Sequence, residues 1–293
     1  MRTAIVYDFD GTLARGNMQD VALLPQLGLK SEKQRRDFWA DVATQSRADD
    51  GDHVLAYLRR LVEAGRENGH PLTRELLQTS GRKIAYFDGV KDWFKRMRAF
   101  GKSIGLDIEH YVVSAGNREI VEGCSIYKEF ANVFGCKYHY DQKGEASWPA
   151  VVVNYTTKTQ FLFRINKGID NSWDHKAVNE WLPEEDRPIP FSRMIFIGDG
   201  DTDIPSFKMM MVQGGTSVAV FDPAEWKDKV HRAKTHELIA QQRVHFVAPA
   251  DYSESSELDV VVRGVLDRIA RAERVHPTYF AKGTFGRSGA ERK

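Results

Sequence analysis

Unalternating apolar runs, too short for helices, recur along the chain at Ala4–Tyr7, Tyr111–Val113, Val151–Val153, Met194–Ile197, Ser217–Val220 and Val244–Val247. Such runs suit strands covered on both faces, and helical stretches between them imply a mostly parallel sheet. Helical periodicity marks Ile120–Phe130 and Leu258–Ile269. In the second, Leu258, Val261, Val262, Val265, Leu266 and Ile269 fall on one face. The pattern predicts an α/β fold.

From Ala14 to Tyr86 helix signals replace the alternation. Val54, Leu55, Leu58, Leu61 and Val62 form a stripe that predicts a helix over Asp52–Gly65, with Gly65 as its stop. Further helices are expected around Phe38, Trp39 and Val42, and around Leu72, Leu76 and Leu77. A stretch of this length is too long for an unstructured loop. The expected organisation is therefore a core of residues 1–13 and 87–276, with a small helical domain, 14–86, inserted after the first strand. Cys136–Trp148, with Gly144 among polar residues, predicts a hairpin. Residues 277–293 carry no core pattern and are expected to form a flexible tail.

Composition removes several classes of function. The 293 residues are 42% hydrophobic and 28% charged, with a formal charge of +1. No overall field draws the chain to nucleic acid or to an anionic membrane. No apolar stretch approaches a membrane span. The N-terminus enters a strand-like run at once, which leaves no room for a signal peptide. Cys124 and Cys136 are too few for a disulfide framework. A reducing, cytoplasmic setting is expected. The nine histidines show no pair at metal-ligand spacing on a helix.

Candidate chemistry sits at the ends of the predicted strands, where ligands bind in open α/β sheets. DFDGT, Asp8–Thr12, follows the first strand. Two carboxylates one residue apart repel by about 4 kcal/mol at 4 Å and an effective dielectric of 20, so a cation or a proton is needed between them. IGDGDTD, Ile197–Asp203, alternates acids with small residues. A calcium hand is excluded, because Ile204 and Met210 stand where that loop needs Gly and Glu. VVSAG, Val112–Gly116, puts Ser114 and backbone N–H groups at a strand end, where phosphate oxygens can be held. Lys158 precedes the apolar-periodic stretch Phe161–Ile165.

In this order the motifs resemble the haloacid dehalogenase superfamily of phosphotransferases, and within it the branch that includes phosphoserine phosphatase. The resemblance implies a Rossmann-like, mostly parallel core with the helical insert as a cap. It implies Asp8 as the nucleophile on phosphorus and Asp10 as the acid and then the base. Mg2+ would be held by Asp8, Asp199 and the backbone carbonyl of Asp10, with Asp203, Gly11 and Gly198 in support. Thr12, Ser114, Ala115 and Lys158 would bind phosphate, although Lys167 and Lys176 lie nearer the family's usual spacing from Asp199. The implied activity is hydrolysis of a small phosphate monoester, with no nucleic-acid or membrane partner. Phosphoserine hydrolysis, phosphomutase activity and non-catalytic sensing of a phosphorylated ligand are the alternatives. Two departures stand out. Gly11 replaces the usual Ser, and Asn17 stands where phosphoserine phosphatases carry a Glu that reads the substrate amine. Of Arg35, Arg36, Arg47, Arg59 and Arg60 in the insert, one or two at most are expected to grip an anionic leaving group.

Overall fold

The computed structural model describes residues 1–275, so the tail expected over 277–293 lies outside the described residues. The chain opens with β1 (Arg2–Tyr7) and then runs through a π-helical turn, Gln19–Leu23, into α1 (Glu32–Ala48), α2 (His53–Glu67) and α3 (Arg74–Gly81). Next come α4 (Val90–Ser103), β2 (Asp107–Asn117), α5 (Arg118–Glu122), β3 (Asn132–Tyr140) and β4 (Ala146–Val151). The remainder alternates: α6 (Lys158–Lys167), α7 (His175–Asn179), β5 (Met194–Gly198), α8 (Ile204–Val212), β6 (Thr216–Phe221), α9 (Lys229–Ala240), β7 (Phe246–Pro249) and α10 (Glu257–Val275).

The seven strands form one sheet in the order β4-β3-β2-β1-β5-β6-β7. All neighbours are parallel except β3 and β4, which pair antiparallel. The fold is α/β, with a Rossmann-like, mostly parallel sheet. β1 is central and its residues Ala4 to Tyr7 are fully buried, as the unalternating run requires. Chain order reverses on the two sides of β1, so its carboxyl end is the crevice where ligands bind in such sheets. Tyr7 is level with Val112 on one side and Ile197 on the other. The motifs after all three strands are thereby brought to one edge.

Three expectations need correction. Val151–Val153 is not a buried parallel strand. Pairing ends at Val151, on the antiparallel edge strand β4, and Val153 instead packs by donating its N–H to Cys136 Sγ. The helix expected over Ile120–Phe130 ends at Glu122, and the Gly123 that caps it lies so close to Gln78 that a Cβ would sit 1.8 Å from its carbonyl oxygen. α2 runs past Gly65 to Glu67. That glycine is needed for close packing, since a Cβ there would meet the His70 carbonyl at 2.7 Å.

The helices between β1 and α4 have strong starts. Ser31 and Gln34 form a capping box on α1, while Asp52 and Thr73 accept from Leu55 and Leu76 at the starts of α2 and α3. Their apolar faces pack on the sheet's β2–β4 side. The Tyr57 hydroxyl donates to the Ala115 carbonyl. Tyr138 Oη donates to Leu58 O at 2.8 Å, Asn154 Nδ2 to Asp52 Oδ2 at 2.8 Å, and Ala146 N to Leu72 O at 2.7 Å.

Candidate active site

Asp8 follows β1 directly, and its own N–H continues the ladder to Ile197 O at 2.9 Å. The residue is 4% exposed. Lys158, the first residue of α6, is completely buried and reaches this carboxylate from across the sheet. Its Nζ lies 3.1 Å from Asp8 Oδ1, 2.7 Å from Asp203 Oδ1 and 3.1 Å from Thr202 Oγ1. Lys167 instead donates to the carbonyls of Val178 and Glu180, and Lys176 is exposed on α7.

The turn after β5 is organised by Asp203, which is fully buried. Its Oδ2 accepts the N–H groups of Asp199 at 3.1 Å and Gly200 at 3.5 Å. Both flanking glycines are dictated by proximity. A Cβ on Gly198 would lie 2.3 Å from Asp203 Oδ2, and one on Gly11, whose φ is +68°, would lie 2.5 Å from Asp199 Oδ2.

Among the described residues, Asp8, Asp199 and Asp203 place carboxylate oxygens within 4.8 Å of one another. Hard oxygen donors at this spacing fit a small divalent cation. Asp8 Oδ1 is buried without a hydrogen bond, although the Lys158 ammonium faces it. Asp10 stands outside the cluster, with its Oδ1 accepting the Met18 N–H at 2.9 Å.

The electrostatics follow from burial. Asp8 is pushed up to about 6, first by burial and then by the Asp203 charge, against the opposing pull of Lys158. Asp10 is raised well above the usual carboxylate range, by burial and then by the Asp8 charge. Burial would lower Lys158, but the Asp203 and Asp8 carboxylates override it and hold the ammonium charged.

A cavity of about 500 Å³ opens on this edge. Asp8, Asp10, Gly11, Ser114, Ala115, Gly116, Asp199 and Thr202 form its floor. Ser114 Oγ accepts the Gly116 N–H at 3.0 Å. Thr12 is not brought to the cavity. Its side chain is fully buried and its Oγ1 has no partner.

Trp39, His53, Val54 and Tyr57 from α1 and α2 form one wall, and Phe221, Asp222 and Glu225 stand on the β6 side. Arg35, Arg36, Arg47, Arg59 and Arg60 do not line the cavity. Arg35 pairs with Asp20, Arg36 with Glu32, Arg59 with Asp49 and Glu63, and Arg60 with Asp41 and Glu67, while Arg47 bonds the Ala43 carbonyl. The expected anionic grip is replaced by an aromatic and aliphatic wall. In the sequence Trp39 marks only a helix, and nothing sets Tyr57 apart. Nothing in a helical stripe tells a core aromatic from one facing a cavity.

Among the described residues, no helix is long and apolar enough to cross a membrane. A curated protein of Borreliella burgdorferi, itself uncharacterized, is 28% identical over 231 residues, covering 71% of this chain and 78% of that one. Among solved structures, a substrate-bound phosphoserine phosphatase complex superposes with a TM-score of 0.53 at 17% identity, covering 90% of this chain and 98% of that one. A HAD family hydrolase from Salmonella enterica serovar Typhi gives 0.55 at 13% identity, covering 89% and 69%. A phosphoserine phosphohydrolase-like protein from Francisella tularensis gives 0.51 at 18% identity, covering 89% and 98%. At these identities the likeness is one of fold. The family model for haloacid dehalogenase-like hydrolases matches residues 5–208, which takes in the motifs at Asp8, Ser114, Lys158 and Asp199, and the chain belongs to that family.

Proposed function

We propose that the protein is a magnesium-dependent phosphatase that hydrolyses a phosphate monoester through an aspartyl phosphate on Asp8. The observation that carries this reading is the buried arrangement at the end of β1. A buried carboxylate, paired with a buried lysine and clustered with Asp199 and Asp203, opens onto the floor of a cavity.

In the first half-reaction an Asp8 oxygen forms a bond to phosphorus while the ester P–O bond breaks. The bonding pair stays on the leaving oxygen, which takes the proton of Asp10. Burial raises this carboxyl, which favours its holding the proton that the step delivers. In the second half, water attacks phosphorus, Asp10 accepts its proton, and the bond to Asp8 breaks with its electron pair returning to the carboxylate. Ser114, the Ala115 backbone N–H and Lys158 hold the phosphoryl oxygens. Asp8, Asp199 and Asp203 would hold Mg2+, which when bound supplies positive charge to the phosphoryl group.

Residues 14–86 act as a cap over the cavity. The wall of Trp39, Val54 and Tyr57, with Arg35, Arg36, Arg59 and Arg60 paired away from the cavity, favours an ester whose alcohol presents an apolar or aromatic face. Asn17 at the cavity edge cannot pair with an ammonium as a carboxylate does, so phosphoserine fits poorly.

A panel of aryl, polyol and amino-acid phosphates assayed with magnesium tests the reading. Aryl esters should be turned over better than phosphoserine. Activity should vanish on chelation and return with Mg2+ but not Ca2+, whose larger and looser coordination disturbs in-line transfer. Full turnover after exhaustive chelation would sink the metal role, and phosphate binding without turnover of any ester would make the protein a sensor.

A further inference from the structure

The segment that carries Met18 and Gln19 joins β1 to the helices, and it is pinned by Asp10 and by an amide pair that the mechanism above does not use. Gln19 begins the π-helical turn Gln19–Leu23, whose wider winding is closed by Leu24 N donating to Gln19 O at 2.8 Å. Consecutive residues consequently meet different partners. The Met18 N–H donates to Asp10 Oδ1 at 2.9 Å, while Gln19 Nε2 donates to Asn117 Oδ1 at 3.0 Å. Gln19 is 2% exposed and Asn117 is fully buried. Asn117 ends β2, just beyond Ser114. The Met18 thioether lies over Gly116, where a Cβ would come within 2.5 Å of its Cε.

Resting on the phosphatase reading, we propose that Gln19 and Asn117 are positioning residues whose amide pair fixes the Met18 N–H on Asp10 and thereby aims the acid at the leaving oxygen. The carboxyl has two oxygens, and one of them is occupied by the Met18 donor. The proton to be delivered is accordingly carried by Oδ2, and the direction of Oδ2 is set by where Met18 sits. Met18 has little freedom of its own, because its neighbour is tied to the same strand end that holds the phosphoryl group. The pair therefore keeps acid and phosphate in one frame, where a small misplacement costs turnover.

Leaving-group dependence tests this. Phenyl phosphate and 4-nitrophenyl phosphate have nearly the same shape, but phenolate leaves poorly without a proton and 4-nitrophenolate leaves readily. Gln19→Asn shortens one partner and opens the pair, and adding Asn117→Gln restores its combined length with the same polar groups. Gln19→Asn should lower kcat on phenyl phosphate by about tenfold, a fraction of what a general acid contributes, with little change in KM and a several-fold smaller loss on 4-nitrophenyl phosphate. The double variant should recover most of that loss. Equal losses on both esters, no loss on either, or a double variant no better than the single one would overturn the positioning role. Failure of wild-type protein to hydrolyse either ester would overturn the phosphatase reading instead.

Discussion

Tyr7 and Asp8 are neighbours at the end of β1, yet they enter two buried polar clusters of opposite kind. Tyr7 Oη accepts the Trp93 indole N–H at 2.8 Å and lies 3.0 Å from His110 Nδ1, while His110 Nε2 lies 3.3 Å from the Phe94 carbonyl. Indole can only donate, so the hydroxyl donates onward to Nδ1, and Nε2–H donates to the carbonyl. Every group in this chain has a partner and no net charge is needed. On the Asp8 side, acids crowd a single buried lysine, whose ammonium is shared between Asp8 and Asp203. A closed neutral network adds rigidity and stability, whereas an open charged one costs stability and leaves chemistry to be done. Substitutions on the two sides should separate activity from stability.

The largest effect is expected on the charged side. Asp8→Asn should lower turnover by at least about a thousandfold, because an amide is a poor nucleophile and forms no acyl phosphate. Its melting temperature should hold or rise, since a carboxylate pushed up to about 6 by burial is a strained ion at neutral pH. An Asp8→Asn protein with wild-type turnover would end the covalent mechanism. Lys158→Met should come next, with activity reduced by about a hundredfold, as when one stabilising donor is removed. It also leaves Asp8 and Asp203 without their cation, and breaking a buried pair in this way costs about 3–5 kcal/mol. Part of that loss should return when Mg2+ is added, because the ion supplies the missing charge. Melts with and without magnesium would show it, and a Lys158→Met protein as stable as wild type in chelator would refute the pairing.

The neutral side should behave in the reverse way. Tyr7→Phe removes one hydroxyl and leaves the Trp93 N–H and His110 Nδ1 unpaired in a dry interior, at about 1–3 kcal/mol. Urea unfolding should show that loss while kcat on an aryl phosphate changes little. A variant that kept its stability and lost its activity would erase the distinction between the clusters.

The charged cluster was much the more legible of the two in the sequence. Asp8, Asp10, Asp199 and Asp203 stand at short spacings after apolar runs, and a parallel sheet can only bring those run ends together at one edge. Nothing in the sequence separates Lys158 from Lys167 and Lys176, because reaching Asp8 depends on how α6 docks. The Tyr7–His110 chain joins residues far apart in sequence, and neither has a spacing that marks a site. Gln19 and Asn117 are equally silent, because an amide pair gives no pattern. β3 was read only as part of a hairpin, yet its first residues Asn132 to Phe134 pair parallel with β2. Its polar ends and Gly135 hide a sheet strand behind the look of a loop. Helix pattern located α1 and α2 but could not say which aromatic faces the cavity, which tertiary docking decides.

The smallest effect is a pH dependence, and it draws the two clusters apart by sign. Burial, and then the nearby Arg98 charge, push His110 down to about 3. Between an unfolded value of about 6.5 and that folded value, the unfolded chain binds a proton that the native state refuses, so the contribution of His110 to stability is lost as pH falls. Asp8 runs the other way. Its folded value of about 6 lies above the unfolded 3.8, so the native state binds the proton first, and stability is gained as pH falls through that window. In metal-free protein the two slopes, each at most about 1.4 kcal/mol per pH unit for one proton, partly cancel between pH 6 and pH 4. Removing one exposes the other. Urea unfolding in chelator should show Asp8→Asn losing stability more steeply than wild type as pH falls from 6 to 4, so that its advantage at neutral pH disappears. His110→Gln should show the converse, a deficit at pH 7 that shrinks toward pH 4. Parallel curves for the three proteins would mean that neither group titrates differently on folding, and the contrast between Tyr7 and Asp8 would lose its electrostatic basis.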